Sequence, residues 1–124
     1  MTRKAEEIDA RRASRLLRRR VPAALPVKVR WLDLDGDYGD CSLVRKPTPH
    51  FLIRIDRTLG NESALMILAH EWAHAVSWTA EHLEIADHGP EWGIAYARVW
   101  RALVGEDHGK HAQRIDLRKL CGKM

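Results

Sequence analysis

A chain of 124 residues with 45% hydrophobic and 31% charged side chains has the length and composition of one globular domain built round one core. Its formal net charge of +4 is unevenly spread, because Arg and Lys crowd the first twenty residues and the last fifteen, and such ends either attract phosphates and acidic partners or form solvated helix faces. Two widely separated cysteines, Cys41 and Cys121, exclude a disulfide framework and a zinc knuckle; no apolar run approaches the ~20 residues of a membrane span, and the basic N-terminus lacks the apolar stretch of a signal peptide, which leaves the cytoplasm as the expected location.

In chain order, residues Ala5–Arg20 contain neither Gly nor Pro and are rich in good helix formers. Ala5, Ile8, Ala13, Leu16 and Leu17 fall on one half of the helical wheel, and Arg11, Arg12, Arg15, Arg18 and Arg19 on the other. The pattern predicts a basic amphipathic N-terminal helix. The arginines read as a solvent-facing surface, as a contact for nucleic acid (DNA above all), or as a membrane-surface contact. Pro22 and Pro26 end the helix and make a connector. Over Pro26–Leu34, Val27, Val29 and Trp31 alternate with Lys28 and Arg30, the period of a half-buried strand. The run Asp33–Asp40 reads as a turn. Its alternating aspartates imitate a calcium loop, but Tyr38 and Val44 stand where that loop needs Gly and Glu.

Cys41–Arg45 predicts a second strand, Lys46–Pro49 a turn, and His50–Asp56 a third strand with Phe51, Ile53 and Ile55 on one face. Three strands with short connections suggest an antiparallel meander. His50 is expected to be an exposed strand-end residue. The third strand is the one expected to offer a sheet edge to an extended peptide.

Asn61 is the expected N-cap of a central helix reaching about Thr79, with Glu62 at its positive end. Leu65, Leu68, Ala69, Trp72, Ala75 and Val76 cover most of its circumference, so the helix should be buried. Into it is set His70-Glu71-Trp72-Ala73-His74, the His-Glu-x-x-His pattern. Four residues is slightly more than one turn, so His70 and His74 stack on one face and can hold one metal ion. Glu71 lies about 100° round the helix from His70, close enough to take a proton from a water that the metal activates. Beyond a polar connector, Pro90 suits the first position of a second helix. Trp92, Ala95, Tyr96, Val99 and Leu103 form its apolar stripe over Glu91–Val104, and Gly105 stops it. The catalytic domain is thus expected to occupy residues 1–105, followed by a basic tail over 106–124 with a short helix around Ala112–Leu120.

A catalytic zinc commonly takes three protein ligands and keeps a fourth position open. His82, Glu84, Asp87, His88 and Glu91 are the candidates for the third. The spacing His-Glu-x-x-His-x-x-Gly-x-x-His fails, because Ser77 stands at the glycine and Ala80 at the last histidine. The local sequence favours His88: Gly89 allows a close approach and Pro90 starts a helix that would pack beside the central one.

This pairing of His70, Glu71 and His74 with His88, Gly89 and Trp92 resembles the SprT-like (Spartan-type) zinc metallopeptidases, whose pattern couples His-Glu-x-x-His to a downstream His-Gly-x-x-(Phe or Trp). The gap of fourteen residues between His74 and His88 is also similar. The resemblance spans about residues 5–104. It implies an α+β, compact zincin-like (minigluzincin-type) domain: an N-terminal helix, a three-stranded antiparallel sheet, the zinc helix and a supporting helix. Many such proteins append a four-cysteine zinc ribbon. Here Cys121 is the only cysteine beyond the catalytic region, so a role resting on that ribbon does not carry over.

The function expected is therefore a zinc endopeptidase acting on protein substrates. His70, His74 and His88 would be metal ligands, Glu71 the general base, and Tyr96 or Tyr38 a donor to the oxyanion. Two rivals stand beside it. One is a catalytically silent, zinc-stabilised nucleic-acid-binding module, against which Glu71 argues. The other is an ImmA-like regulatory protease that cleaves one specific partner; such proteins share His-Glu-x-x-His but not His88-Gly89.

Overall fold

The computed structural model describes residues 8–78 and 88–105. Helix α1 (Ala10–Arg20) is followed by strands β1 (Val27–Leu32), β2 (Gly39–Val44) and β3 (His50–Asp56), then helices α2 (Asn61–Val76) and α3 (Pro90–Val104). The class is α+β. Two helix bounds differ from expectation: α1 starts at Ala10, where Asp9 caps it, rather than at Ala5, and α2 ends at Val76, where Ser77 caps it, short of Thr79. The alternative ligands His82, Glu84 and Asp87 and the tail helix around Ala112–Leu120 lie outside the described residues. Among the described residues no helix is long and apolar enough to cross a membrane.

The sheet departs from the expected meander. Its order is β1-β3-β2, with β1 parallel to β3 and β2 antiparallel to it. The reason lies in burial. In β3, Phe51, Ile53 and Ile55 are all but inaccessible, whereas β1 buries only Val27 and β2 no residue fully. The strand that buries most takes the centre, where both of its backbone edges are paired, and the less buried strands take the edges. Residues 33–38 must then cross the end of β3, a span of about two strand spacings or roughly 10 Å, which six residues cover easily. Consequently β3, the strand expected to offer its edge to a peptide, has no free edge; β1 and β2 are the edge strands.

Helix α1 packs on α2 and α3 and reaches β1 through two arginine side chains. The Arg18 guanidinium donates through Nε to the carbonyl of Val27 at 3.0 Å, while the Arg11 guanidinium stands 4.5 Å from the centre of the Trp31 ring, a cation–π geometry. Asp9 caps this helix, its carboxylate accepting from the Arg11 N–H at 2.8 Å. Asn61 is not the N-cap of α2, as expected from its type; Gly60 is. The Asn61 amide is instead turned on α1, accepting from the Ala10 N–H at 2.8 Å and donating to the Ile8 carbonyl at 2.5 Å. At the other end of α1, the buried Trp72 indole donates to the Val21 carbonyl at 2.8 Å. One residue at each end of α1 is thus hydrogen-bonded to α2.

Helix α2 fills the space between the sheet and the other helices. Leu65, Leu68, Ala69 and Trp72 are inaccessible, facing Ile53, Ile55, Leu17 and Val99 across one core. His50 is buried rather than exposed, with Nδ1 2.8 Å from the Thr48 carbonyl; the turn before β3 folds back over it. Opposite the helices, Asp40 and Arg54 face each other in register across β2 and β3 and form a two-point ion pair, with Arg54 Nε 2.9 Å from Asp40 Oδ1.

Where β2 meets α2, the backbone comes so close that a Cβ on Gly39 would stand 2.5 Å from Ile67 Cγ2 and 2.9 Å from the Arg54 carbonyl. The carbonyl belongs to the sheet ladder and cannot retreat. Gly39→Ala is therefore expected to cost about 1–3 kcal/mol, seen as a lower urea midpoint with an unchanged m-value.

Candidate metal centre

His70 and His74 sit one turn apart on α2, both half-buried, and His88 is exposed at the approach to α3. His88 has φ 61°, the left-handed region, which a histidine enters at a cost but more readily than most residues. Gly89 then takes an extended conformation as N-cap of α3, and Pro90 begins the helix. This sequence of backbone states turns the His88 ring back over α2. Its Nε2 lies 3.0 Å from Nε2 of His70 and 3.0 Å from Nε2 of His74. The three ring centres form a nearly regular triangle with sides of 5.0, 4.8 and 4.7 Å.

Among the described residues, His70, His74 and His88 are the group of three that could hold a metal ion, their ligand atoms lying within 4.8 Å of one another. The fit to a small divalent ion can be checked. Nitrogens held by one tetrahedral ion at about 2.0–2.1 Å stand roughly 3.3 Å apart, close to the spacing found. An all-imidazole donor set suits zinc and its borderline neighbours copper, nickel and iron, and not calcium or magnesium. Glu91, His50 and the aspartates of the 33–37 loop do not join the group, and Asp33 is paired with Arg57, Oδ1 to Nε at 2.8 Å.

Glu71 is buried, deeper than the histidines on either side of it. Its charge reaches Cys41 on β2. The half-buried Cys41 thiol is pushed up to about 12, first by burial, then by the negative charges of Glu71 and Asp40. Glu71 is thus close enough to the edge strand β2 for its charge to act on Cys41.

The two tyrosines separate. Tyr38 is 68% exposed, and its carbonyl accepts from the Asp56 N–H at 2.9 Å; none of the contacts described brings it to the histidines. Tyr96 is half-buried on α3, with its ring centre 6.5 Å from that of His70. It reaches the site through Trp92, on which it stacks at 4.7 Å and 15°. The arginines separate as well: Arg11 and Arg18 are engaged on β1, whereas Arg12, Arg15 and Arg19 are exposed on the outer face of α1. None of the five is near the histidines in the contacts described.

Sequence reasoning left Cys41 and Gly39 without a role, and it placed Trp92 in an apolar stripe and in the family motif without its contact to all three histidine rings. Trp92 was signalled by its place one turn beyond His88; the other two depend on how β2 seats on α2 and carry no local signal. A scan against family models, a search of curated proteins and a search of solved structures each find no match to this chain.

The Cys41 environment sets a measurable pH dependence. Well below pH 9 the thiol is protonated in both folded and unfolded chains and contributes nothing. Between about 9 and about 12 the unfolded chain loses a proton that the folded chain keeps, so stability falls as pH rises. Urea midpoints measured from pH 8 to 11 should decline less steeply in Cys41→Ser than in the parent chain.

Proposed function

We propose that the chain is a zinc-dependent metallopeptidase that hydrolyses peptide bonds in protein substrates. The observation that carries this reading is the convergence of three imidazole Nε2 atoms, two of them flanking a buried glutamate in His-Glu-x-x-His. The resemblance to SprT-like metallopeptidases, through His70, Glu71, His74, His88, Gly89 and Trp92, supports it. His70, His74 and His88 would hold the ion as neutral imidazoles. When bound, zinc supplies a Lewis acid that polarises a carbonyl and brings water within reach of deprotonation near neutral pH.

The remaining chemistry falls to the chain. Glu71 is the one carboxylate in the motif, and its burial beside the ligands suits a general base that accepts a proton from water and returns it to the leaving amine. A structural site closed by four protein ligands would need no such group, which weighs against the silent module. Tyr96 is the candidate donor to the developing oxyanion. An extended substrate would add to β2, because β2 packs on α2 and its outer edge carries no strand among the described residues. At the opposite edge, the Val27 carbonyl of β1 already accepts from Arg18.

Association with DNA is a second element of the reading, favoured by the exposed Arg12, Arg15 and Arg19 at helical spacing. Arg11 and Arg18 would contribute chiefly by holding α1 to β1.

Two measurements test these assignments. Glu71→Gln should keep about one zinc per chain and lose roughly 10²–10⁴-fold in cleavage of an unfolded protein substrate; unchanged cleavage removes Glu71 as base. Replacing Arg12, Arg15 and Arg19 together by Ala should weaken binding to a duplex oligonucleotide and flatten its salt dependence by up to about 3 in slope, without lowering the unfolding midpoint. Arg18→Ala should instead lower the midpoint, because it removes the hydrogen bond to β1.

A further inference from the structure

We infer that Trp92 is a positioning residue for the metal centre, setting the orientation of all three imidazoles and hence the affinity for the ion. The inference rests on the reading of His70, His74 and His88 as metal ligands. Two ligands belong to α2 and the third arrives on a separate stretch of chain in a left-handed conformation, so their mutual geometry needs a side chain that touches both.

Trp92 does so. It lies one turn beyond His88 and meets that ring edge-on, with centres 4.9 Å apart and planes at 89°. Its indole N–H donates to the carbonyl of His70 at 3.2 Å, which ties the start of α3 to the backbone of the first ligand. The same indole lies 5.0 Å from the His70 ring and 5.7 Å from the His74 ring. It is therefore a common wall against which three imidazoles are set, at separations where aromatic pairs attract.

Trp92 is itself held from behind. Tyr96 stacks flat on it at 4.7 Å, and Trp100 meets Tyr96 edge-on at 6.2 Å. Spaced four apart, these side chains form a ladder along α3 that ends at the metal centre. Stacked on Tyr96 and hydrogen-bonded to the His70 carbonyl, Trp92 carries the rigidity of α3 to ligands that would otherwise have to find their geometry when the ion arrives. Groups behind the ligands that act in this way change metal affinity by about 10–100-fold when removed.

The test is zinc affinity, measured by competition with a chromogenic chelator for the parent chain, Trp92→Phe and Trp92→Ala, together with the absorption spectrum of each protein loaded with Co²⁺. Trp92→Ala should bind zinc about 10–100-fold more weakly and show an altered Co²⁺ spectrum even at saturation. Trp92→Phe, which keeps a ring but loses the N–H, should fall between. Lower unfolding midpoints with unchanged zinc affinity and Co²⁺ spectra would mean that Trp92 only packs, and would overturn the inference. If Trp92→Ala fails to fold, Trp92→Phe decides: a parent-like affinity and spectrum overturn it. A parent chain that takes up no zinc overturns the metal reading itself, and the inference with it.

Discussion

Helix α2 has to be core and site at once, and the rest of the molecule follows from that double demand. A helix wrapped on most sides by apolar neighbours is held far more firmly than a surface helix, which suits ligands that must keep their geometry. The cost is that imidazoles and a carboxylate must be accommodated in the same helix. The chain resolves this by angle. Leu65, Leu68, Ala69 and Trp72 turn to the core, His70 and His74 share the one half-exposed stripe, and buried Glu71 lies between the two regions. Each neighbour then has its place: β2 beside Glu71, α3 beside the histidines, and α1 behind, tied to α2 through Asn61 and Trp72.

Much of this was legible because it is local. The strands β1 and β3 show in alternation, β2 as a short run whose observed start at Gly39 reaches into the expected turn, α3 in its stripe and its Pro90 start, and the His70–His74 pair in a spacing of one turn. The choice of His88 rested on Gly89, Pro90 and the family motif; the backbone there is left-handed, extended and helical in three successive residues, and the His88 ring lies against His70 and His74.

What was not legible is non-local. The antiparallel meander is the cheapest reading of three strands with short links, but strand order depends on which strand has two faces of backbone to satisfy, and that is a property of the assembled core. Asn61 has the chemistry of a cap and spends it on another helix. His50 looks like a strand-end polar residue until the turn at Thr48 covers it. The arginines of α1 look equivalent in a helical wheel; only the position of β1 divides them into two that anchor and three that face solvent.

The sheet order carries a consequence for how the molecule assembles. Val44 and His50 are partners across β2 and β3 only six residues apart, whereas Val27 and Phe51 are partners across β1 and β3 at a separation of 24. Closing the shorter loop costs less chain entropy, so the β2–β3 hairpin is the natural first piece of sheet and β1 a late arrival. Until β1 docks, one side of β3 presents bare N–H and C=O groups along Phe51, Ile53 and Ile55, in the strand of the sheet that buries most. That interval is where this domain is most exposed to pairing with a second copy of itself.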